Sequence, residues 1–361
     1  DKLINEKILV QRISFENNNY KFENYFDFNY IFNRKSKITK IDNLYTNKTI
    51  LITGAGGSIG AGILSQLIEV DFEKLVIIEK SEFNLFKLKS DLRIDENDKV
   101  HTYLMNFEDF DQLNLIFSRY KIDIIFHAAA YKHVPLLEFN PFAAVKNNFI
   151  NTFNFIKFSQ KFNVSYFCLI SSDKAVRPTN IMGASKRLAE LAALYLSNYT
   201  KYNMIINCVR FGNVINSSGS VLPLFMKQIT NNQPITITDK RMIRYFMTTE
   251  EAANLVLSVH KISKGGEIFL LDMGSPVNLL DLVKLVGQFA GRKVGYGGKN
   301  DLEIKYIGLR KGEKLFEELL IDNQSKQTNN KNIYQSLEKP IPSEEFEKIL
   351  KKIQESTKNN D

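Results

Sequence analysis

The chain lacks tryptophan and has only two cysteines and four histidines among its 361 residues. Cys168 and Cys208 each lie in an apolar, strand-like run, so we expect two buried, reduced thiols and no disulfide framework. The histidines show no metal-ligand spacing such as HExxH, and no metal site is predicted. No apolar run approaches the ~20 residues that a membrane-spanning helix requires.

The charge of the chain is positive but not concentrated. Lys and Arg number 48 against 40 Asp and Glu, a net charge of +8. No basic stripe with interleaved aromatics is present, so nucleic-acid binding is not predicted, and a small anionic substrate explains the balance. With 44% hydrophobic residues, the chain can bury the core of one large α/β domain or of two interleaved ones.

A strand, a glycine-rich turn and a helix open the main part of the chain. Thr49–Thr53 is a short apolar strand, and the sequence GAGGSIG comes directly after it. Glycine permits the tight turn, the close approach of a pyrophosphate and the packing of helix on strand, and the phosphates face the helix N-terminus. The pattern predicts a dinucleotide site formed by Gly54, Gly57, Ser58, Ile59 and Gly60.

Further cofactor residues come after the next strands. Glu79 ends the apolar run 75–78, about 20 residues after the glycine turn, where a carboxylate receives the ribose hydroxyls. A carboxylate repels a 2′-phosphate, so NAD is favoured over NADP, although neighbouring Lys80 weakens that preference. We also assign Asn106, Ala128 and Ala129 to this site; plain small-residue packing is the alternative explanation for the alanines.

Strand and helix patterns then alternate up to Phe211. This rhythm predicts an α/β fold, a doubly wound parallel (Rossmann) sheet, with a smaller α+β substrate-binding region on its C-terminal side. The expected division is an irregular N-terminal arm or connector (1–45), an NAD-binding domain (46–211), a substrate-binding region (212–340) and a C-terminal helix with a tail (341–361).

An acid and a base adjoin the end of a predicted strand. Asp173 and Lys174 come after the apolar run 166–170, and Lys186 lies in the next helix. Ligands of open α/β sheets bind outside the carboxyl ends of the strands, so these residues mark the predicted active centre. Solvated polar residues at a strand exit are the alternative. Farther on, Arg244 and Arg310 suit a diphosphate or, equally, a charged surface.

These motifs together resemble the extended short-chain dehydrogenase/reductase superfamily, and more narrowly its UDP-N-acetylglucosamine 4,6-dehydratases of the polysaccharide-biosynthesis group. The resemblance runs from about Lys48 to Leu320. It rests on TGAGGSIG (53–60), HAAAYKHVPLLEFNP (127–141), SSDKAVRPTNIMGASKRLAE (171–190), RFGNV (210–214), GSVLPLF (219–225), RYFMT (244–248) and GLRKGEKLFEEL (308–319).

Two positions depart from the pattern. Met182 stands where the superfamily has the tyrosine of its Tyr-x-x-x-Lys pair, and methionine has no ionisable proton. Ser172 replaces the group's commoner threonine and keeps the hydroxyl. The proton of the sugar's C4 hydroxyl must therefore pass to Lys174 or Asp173, through Ser172 or a water.

The resemblance implies a reaction with NAD: oxidation at C4, loss of water across C5 and C6, and return of the hydride to C6. We expect Lys174 to act as base at C5 and Asp173 as acid at C6, with the lysine pKa lowered by burial and by Lys186. Lys186 also holds the nicotinamide ribose. The implied contacts to the UDP-sugar are Lys132, Asn213, Val221, Arg244, Arg310 and Glu313.

Two other functions compete. A UDP-sugar 4-epimerase has the same fold and cofactor but normally relies on the tyrosine that is missing here. A non-catalytic NAD-binding sensor is the other, because folds outlive functions. The resemblance also implies a homo-oligomer, a dimer or larger. The segment RISFEN (12–17) resembles the connector of a membrane-anchored branch, which implies a cytoplasmic catalytic domain in a longer protein anchored at the inner membrane.

Overall fold

The structure is a computed structural model, which describes residues 10–16, 19–25, 38–41, 43–215, 217, 219–295, 301–318, 320 and 324–359. The strands are β1 (Val10–Glu16), β2 (Asn19–Tyr25), β3 (Thr49–Thr53), β4 (Lys74–Glu79), β5 (Val100–Leu104), β6 (Ile124–His127), β7 (Tyr166–Ile170), β8 (Ile205–Arg210), β9 (Asn213–Val214), β10 (Ile235–Ile237), β11 (Ile243–Arg244), β12 (Phe246–Met247), β13 (Glu267–Leu271), β14 (Val277–Asn278), β15 (Lys293–Val294), β16 (Asp301–Leu302), β17 (Ile304–Tyr306), β18 (Ser325–Gln327) and β19 (Ile333–Ser336).

The α-helices are α1 (Ser58–Leu67), α2 (Glu82–Leu92), α3 (Phe110–Arg119), α4 (Val134–Glu138), α5 (Pro141–Val145), α6 (Asn151–Lys161), α7 (Ile181–Tyr199), α8 (Val221–Thr230), α9 (Thr249–Val259), α10 (Leu279–Phe289) and α11 (Ser343–Asn359). A π-helical turn, Lys146–Ile150, joins α5 to α6, and a short 3₁₀ turn, Asp173–Ala175, lies just after β7. Among the described residues, no helix is long and apolar enough to cross a membrane.

One nine-stranded sheet positions the site. Its order is β18–β19–β13–β8–β7–β6–β3–β4–β5. The seven strands from β5 to β13 run parallel, whereas β19 is antiparallel to β13 and β18 to β19. Every residue of β3 and of β7 is buried, which explains their uninterrupted apolar sequences. The predicted doubly wound parallel sheet is confirmed.

Helices cover both faces of this sheet and create two cores. Along β3, Ile50 and Ile52 point into a core shared with α1, α2 and α9, and Leu51 points into a core shared with α3, α6 and α7. This alternation results from the two-residue period of a strand. The C-terminal helix α11 adds buried Phe346 to the second core.

A smaller core lies outside the sheet. Helices α8 and α10 enclose it together with β10 and Leu302 of β16. The chain then returns to the main sheet with β13, β18 and β19, and α9 packs on α1. The apolar run 267–271, which falls in the expected substrate-binding region, is therefore an interior strand of the main sheet, and the expected division at residue 211 stays a prediction.

The expectation of an irregular arm over residues 1–45 is wrong for β1 and β2. These strands form an antiparallel hairpin in which Val10 is paired with Tyr25 and Glu16 with Asn19. Residues 1–9, 17–18, 26–37 and 42 lie outside the described residues. Thr39 anchors the end of the arm to α9, because its backbone N–H donates to Asn254 Oδ1 over 2.7 Å.

Candidate active site

The glycine turn after β3 is tightly packed. Gly54 has φ +67°, and a Cβ atom there would lie 2.6 Å from Ala129 Cα, so the turn and the end of β6 touch through backbone. A Cβ on Gly60 would lie 2.4 Å from the Gly54 carbonyl oxygen. The Gly57 N–H donates to that same oxygen over 3.0 Å. The turn therefore requires glycine at positions 54 and 60, two of the positions that the pattern predicted.

Glu79 holds this turn in place. Its Oε2 accepts a hydrogen bond from the Gly56 N–H, and its Oε1 accepts one from the Ser81 N–H, each over 2.9 Å. The carboxylate is buried. Ser81 caps α2, which brings the side chain of Asn84 against the turn. Glu79 thus orders the loop at the edge of the sheet where the ribose is expected.

A cavity lies between the glycine turn and the carboxyl ends of β4, β5 and β6. Asn106 Oδ1 is buried in its lining and has no hydrogen-bond partner in the part of the chain that the structure describes. An unpaired buried acceptor of this kind is satisfied by a donor from outside the chain, and an amino group of a ligand is one such donor. Predicted residues in the lining are Gly54, Gly57, Glu79, Asn106, Ala128 and Ala129, and Lys80, Asn84 and Asn147 join them. These residues fit the nucleoside half of a dinucleotide.

Three other predicted cofactor residues lie next to the cavity without lining it. Ser58 is the first residue of α1, Ile59 packs against the first core, and Gly60 permits the contact of α1 with the turn. Ser58 and Ile59 present the start of the helix to the cavity mouth. The dipole of the helix therefore points its positive end toward the place where phosphates would lie.

The predicted acid and base are in contact at the carboxyl end of β7. Lys174 Nζ lies 3.0 Å from Asp173 Oδ1. Ser172 organises the pair: its Oγ donates to Asp173 Oδ1 over 2.8 Å and accepts from the Lys174 N–H over 3.2 Å. Asp173 is only 2% exposed. The short 3₁₀ turn thus directs two ionisable side chains to the edge of the sheet where the glycine turn lies.

A third ionisable residue joins this pair, and sequence reasoning missed it. Glu317 Oε1 lies 3.4 Å from Lys174 Nζ, and its side chain is almost fully buried. Burial alone would lower the pKa of the Lys174 ammonium, but the carboxylates of Asp173 and Glu317 outweigh it, and the pKa is raised. The expectation that burial and Lys186 lower the Lys174 pKa is therefore wrong: at rest, the amine keeps its proton.

Lys186 and Met182 occupy separate surroundings on α7. The Lys186 ammonium is buried and donates a hydrogen bond to the Ile170 carbonyl oxygen. Burial lowers the pKa of Lys186 to about 8, against the opposing charge of Glu190. Met182 is buried in a small apolar cluster with Leu137 and Ala144. Its thioether serves packing there, and no proton transfer can use it.

The predicted substrate residues surround the pair in different ways. Arg244 is buried, and its guanidinium donates to the carbonyl oxygens of Ile243, Lys314 and Leu315. Arg244 therefore holds the segment that carries Glu317. The sequence predicted only a diphosphate contact for Arg244, not this structural role. Lys132 and Arg310 are exposed, whereas Asn213, Val221 and Glu313 are half-buried. The binding of a sugar nucleotide by these residues stays a prediction.

Comparison with known sequences decides the family. The profile of the family described as "Polysaccharide biosynthesis protein" matches residues 50–338. The chain belongs to this family. Its superfamily is the one that the motifs indicated.

Curated relatives of this chain carry different names. The capsular polysaccharide biosynthesis protein CapD of Staphylococcus aureus is 41% identical over 77% of the chain and 46% of the relative. An uncharacterized membrane protein of Methanocaldococcus jannaschii is 41% identical over 87% of the chain and 98% of the relative. A UDP-glucose 4-epimerase of Rickettsia canadensis is 35% identical over 77% and 79%. The chain thus spans about half the length of the Staphylococcus relative.

Solved structures share the fold of this chain. Pen from Bacillus thuringiensis is 33% identical, with a TM-score of 0.73 over 85% of the chain and 99% of Pen. The dTDP-glucose 4,6-dehydratase DesIV of Streptomyces venezuelae, solved with NAD, is 18% identical, with a TM-score of 0.60 over 72% and 88%. At that identity the second likeness shows the fold alone.

Proposed function

We propose that this polysaccharide biosynthesis protein is an NAD-dependent UDP-N-acetylglucosamine 4,6-dehydratase. Its product is a UDP-4-keto-6-deoxy-N-acetylhexosamine, formed by loss of one water. The family and relatives named for capsule synthesis and UDP-sugar epimerisation support the general class, an enzyme that modifies nucleotide sugars. The assignment of a dehydration rather than an epimerisation rests on the residues of the candidate active site.

The contact between Asp173 and Lys174 is the observation that carries the proposal. Dehydration of a sugar across C5 and C6 needs a base at C5 and an acid at the C6 hydroxyl. Because these carbons are neighbours, the two protein groups must lie a few ångströms apart. The two side chains lie 3.0 Å apart, at the same edge of the sheet as the glycine turn, where α/β enzymes bind ligands. A 4-epimerase does not need both members of the pair, because it expels no hydroxyl and removes no proton from carbon.

Each residue of the candidate site has a separate role in the proposed reaction. Bound NAD supplies a hydride acceptor at C4 and a hydride donor at C6. Its nucleoside half is held by the turn at Gly54, by Glu79 and by Asn106, and its ribose beside the nicotinamide by Lys186. During oxidation the proton of the C4 hydroxyl passes to Asp173. Once C4 is a ketone, the proton on C5 is acidic, so Lys174 removes it while Asp173 gives the proton it received to the departing C6 hydroxyl.

Incubation with UDP-N-acetylglucosamine tests this function. Mass spectrometry should show a product lighter by one water, and NMR should show a 4-keto-6-deoxy sugar. A product of unchanged mass with an axial C4 hydroxyl would instead establish the 4-epimerase, which the 35% identity to the Rickettsia enzyme keeps as the second candidate. The absence of any product with UDP-sugars would favour a binding protein without catalysis.

The glycine turn makes a separate prediction for the cofactor. Gly60→Ala should weaken NAD binding roughly tenfold or more, because the added methyl meets backbone atoms that have no room to move and displaces the turn. Its Cβ would lie 2.4 Å from the Gly54 carbonyl oxygen and 2.7 Å from Ala55 Cα. Isothermal titration calorimetry measures the affinity. Ser65→Ala, on the same helix, is the control and should bind NAD like the wild type; equal affinity of both variants would contradict the assignment.

A further inference from the structure

Glu317 lies against Lys174 and has no part in the dehydration steps proposed for Lys174 and Asp173. It is contributed by the segment after β17, far in sequence from the end of β7. We propose that Glu317 activates Lys174 as a base: its carboxylate takes the proton that Lys174 holds at rest. Glu317 is thus a positioning residue that acts through Lys174. The inference rests on the proposed function, in that a sugar proton has to be removed at this site.

Lys174 needs such a partner because it starts as an ammonium. An ammonium has three donors and no lone pair, so it takes no proton from a sugar until it has lost one. The two carboxylates beside it, at 3.0 Å for Asp173 and 3.4 Å for Glu317, stabilise its charged form. Waiting for bulk water to remove the proton would leave very little neutral amine at pH 7, because a lysine ordinarily titrates near pH ~10.4.

Glu317 is a better proton acceptor than Asp173. Asp173 Oδ1 already accepts hydrogen bonds from Ser172 Oγ and from Lys174 Nζ, so both lone pairs of this oxygen are in use. Glu317 Oε2, in contrast, is buried and has no hydrogen-bond partner within the described ranges. Burial raises the pKa of Glu317, and the negative charge of Asp173 adds to the rise, against Lys174 and Arg244.

The proton transfer is balanced within the pair. One Nζ–H bond of Lys174 breaks, an O–H bond forms on Glu317, and a cation and an anion become a neutral amine and a neutral acid. Covering the site with substrate favours this change, because removal of water penalises separate charges more than neutral groups. The amine then accepts the proton from C5 and gives it back to C5 when the hydride returns to C6. Lys174 is then a neutral amine again, and Glu317 returns its own proton to it.

The charged residues around Glu317 permit the exchange of a proton with Lys174. Glu317 faces Lys174, Asp173 and Arg244, whose guanidinium Nη2 lies 3.8 Å from Glu317 Oε1. The same Nη2 lies 3.7 Å from Glu313, so its charge is shared between two acids. Glu317 is therefore the group in this cluster best placed to exchange a proton with Lys174.

The pH dependence of Glu317→Gln tests the inference. At pH 7 the variant should convert UDP-N-acetylglucosamine roughly 10²-fold more slowly than the wild type, the usual cost of losing a proton acceptor. Its Lys174 must then lose the proton to solvent, so the deficit should shrink by up to about tenfold per pH unit between pH 7 and 9. Titration of Lys186 near pH 8 affects both proteins and cancels in their ratio.

Glu318→Gln is the matched control. Glu318 is the next residue, is partly exposed, and pairs with Arg177 and Lys314 rather than with the catalytic pair. It should keep the wild-type rate at both pH values. Glu317→Asp retains a carboxylate, so its ratio to the wild type should not change with pH even if its rate is lower.

Two results would overturn the inference. One is a wild-type rate for Glu317→Gln at pH 7; the other is a deficit of the same size at pH 7 and pH 9, which indicates a purely structural role. Failure of the proposed function looks different, because then the wild type itself forms no dehydrated product. If the wild type epimerises its substrate, the same comparison applies, since the C4 hydroxyl proton also needs a base.

Discussion

Lys174→Ala is expected to lower turnover by roughly 10²- to 10⁴-fold, the contribution of a positioned acid or base, while NAD binding persists. The affinity should survive because Lys174 does not line the cavity that holds the predicted cofactor residues. Lys174→Arg separates charge from proton transfer. Arginine keeps a cation between Asp173 and Glu317 but does not give up a proton, so its rate should fall to a similar degree while its stability stays close to that of the wild type.

The controls for this prediction use another lysine. Lys284 forms an exposed ion pair with Asp281 over 2.9 Å, on the surface of α10. Lys284→Ala should leave turnover and NAD affinity unchanged, because such surface pairs contribute little. Steady-state kinetics with UDP-N-acetylglucosamine and calorimetry with NAD measure both quantities. Near-normal turnover of Lys174→Arg would show that Lys174 transfers no proton in the reaction.

Local signals in the sequence were enough to locate most of the site. The apolar runs 49–53 and 166–170 coincide with β3 and β7, because a fully buried parallel strand has no polar face that could blur its limits. The residues just after such a strand lie at the edge of the sheet where ligands bind. The glycine turn and the pair Asp173–Lys174 could therefore be predicted from their position after these strands.

Long-range contacts were beyond this kind of prediction. Glu317 lies in a stretch with several acids, GEKLFEEL, and nothing local distinguishes the one that reaches Lys174 across the fold. The error about the Lys174 pKa has the same origin: burial was foreseen, but the second carboxylate was not. The central strand β13 was missed because a five-residue apolar run in a looser region carries no sign of which sheet it joins.

Arg210→Met is the substitution expected to cost the most stability. Arg210 ends β8, is fully buried, and holds Glu190 of α7 through two hydrogen bonds of 2.7 Å. It also binds Glu338, just after β19, so one guanidinium joins three elements of the fold. Removing it leaves two carboxylates with Arg187 as their remaining cation. Breaking a buried pair in this way typically costs about 3–5 kcal/mol in the free energy of unfolding.

The pH dependence of this loss is set by Glu190. Burial raises its pKa, but Arg210 and Arg187 outweigh burial, so the pKa is lowered in the folded protein. A lowered carboxyl pKa contributes stability above the pKa of the unfolded state, and this contribution disappears as the pH falls through the folded value. In Arg210→Met the Glu190 pKa rises instead. The deficit relative to the wild type should therefore be largest near pH 7 and smaller at pH 5, as measured by urea denaturation.

Two further variants decide whether the buried charge is the cause. Arg241→Met removes an exposed guanidinium paired with Asp239 and should change stability little. Adding Glu190→Met to Arg210→Met should recover part of the loss, because replacing both partners by apolar groups no longer leaves that carboxylate buried without its cation. If the double variant is less stable than Arg210→Met alone, the network stabilises the protein through shape rather than charge. In the double variant Ser171 Oγ loses the hydrogen bond that it donates to Glu190 over 2.6 Å. The neighbouring Ser172 should therefore be displaced from the catalytic pair as well.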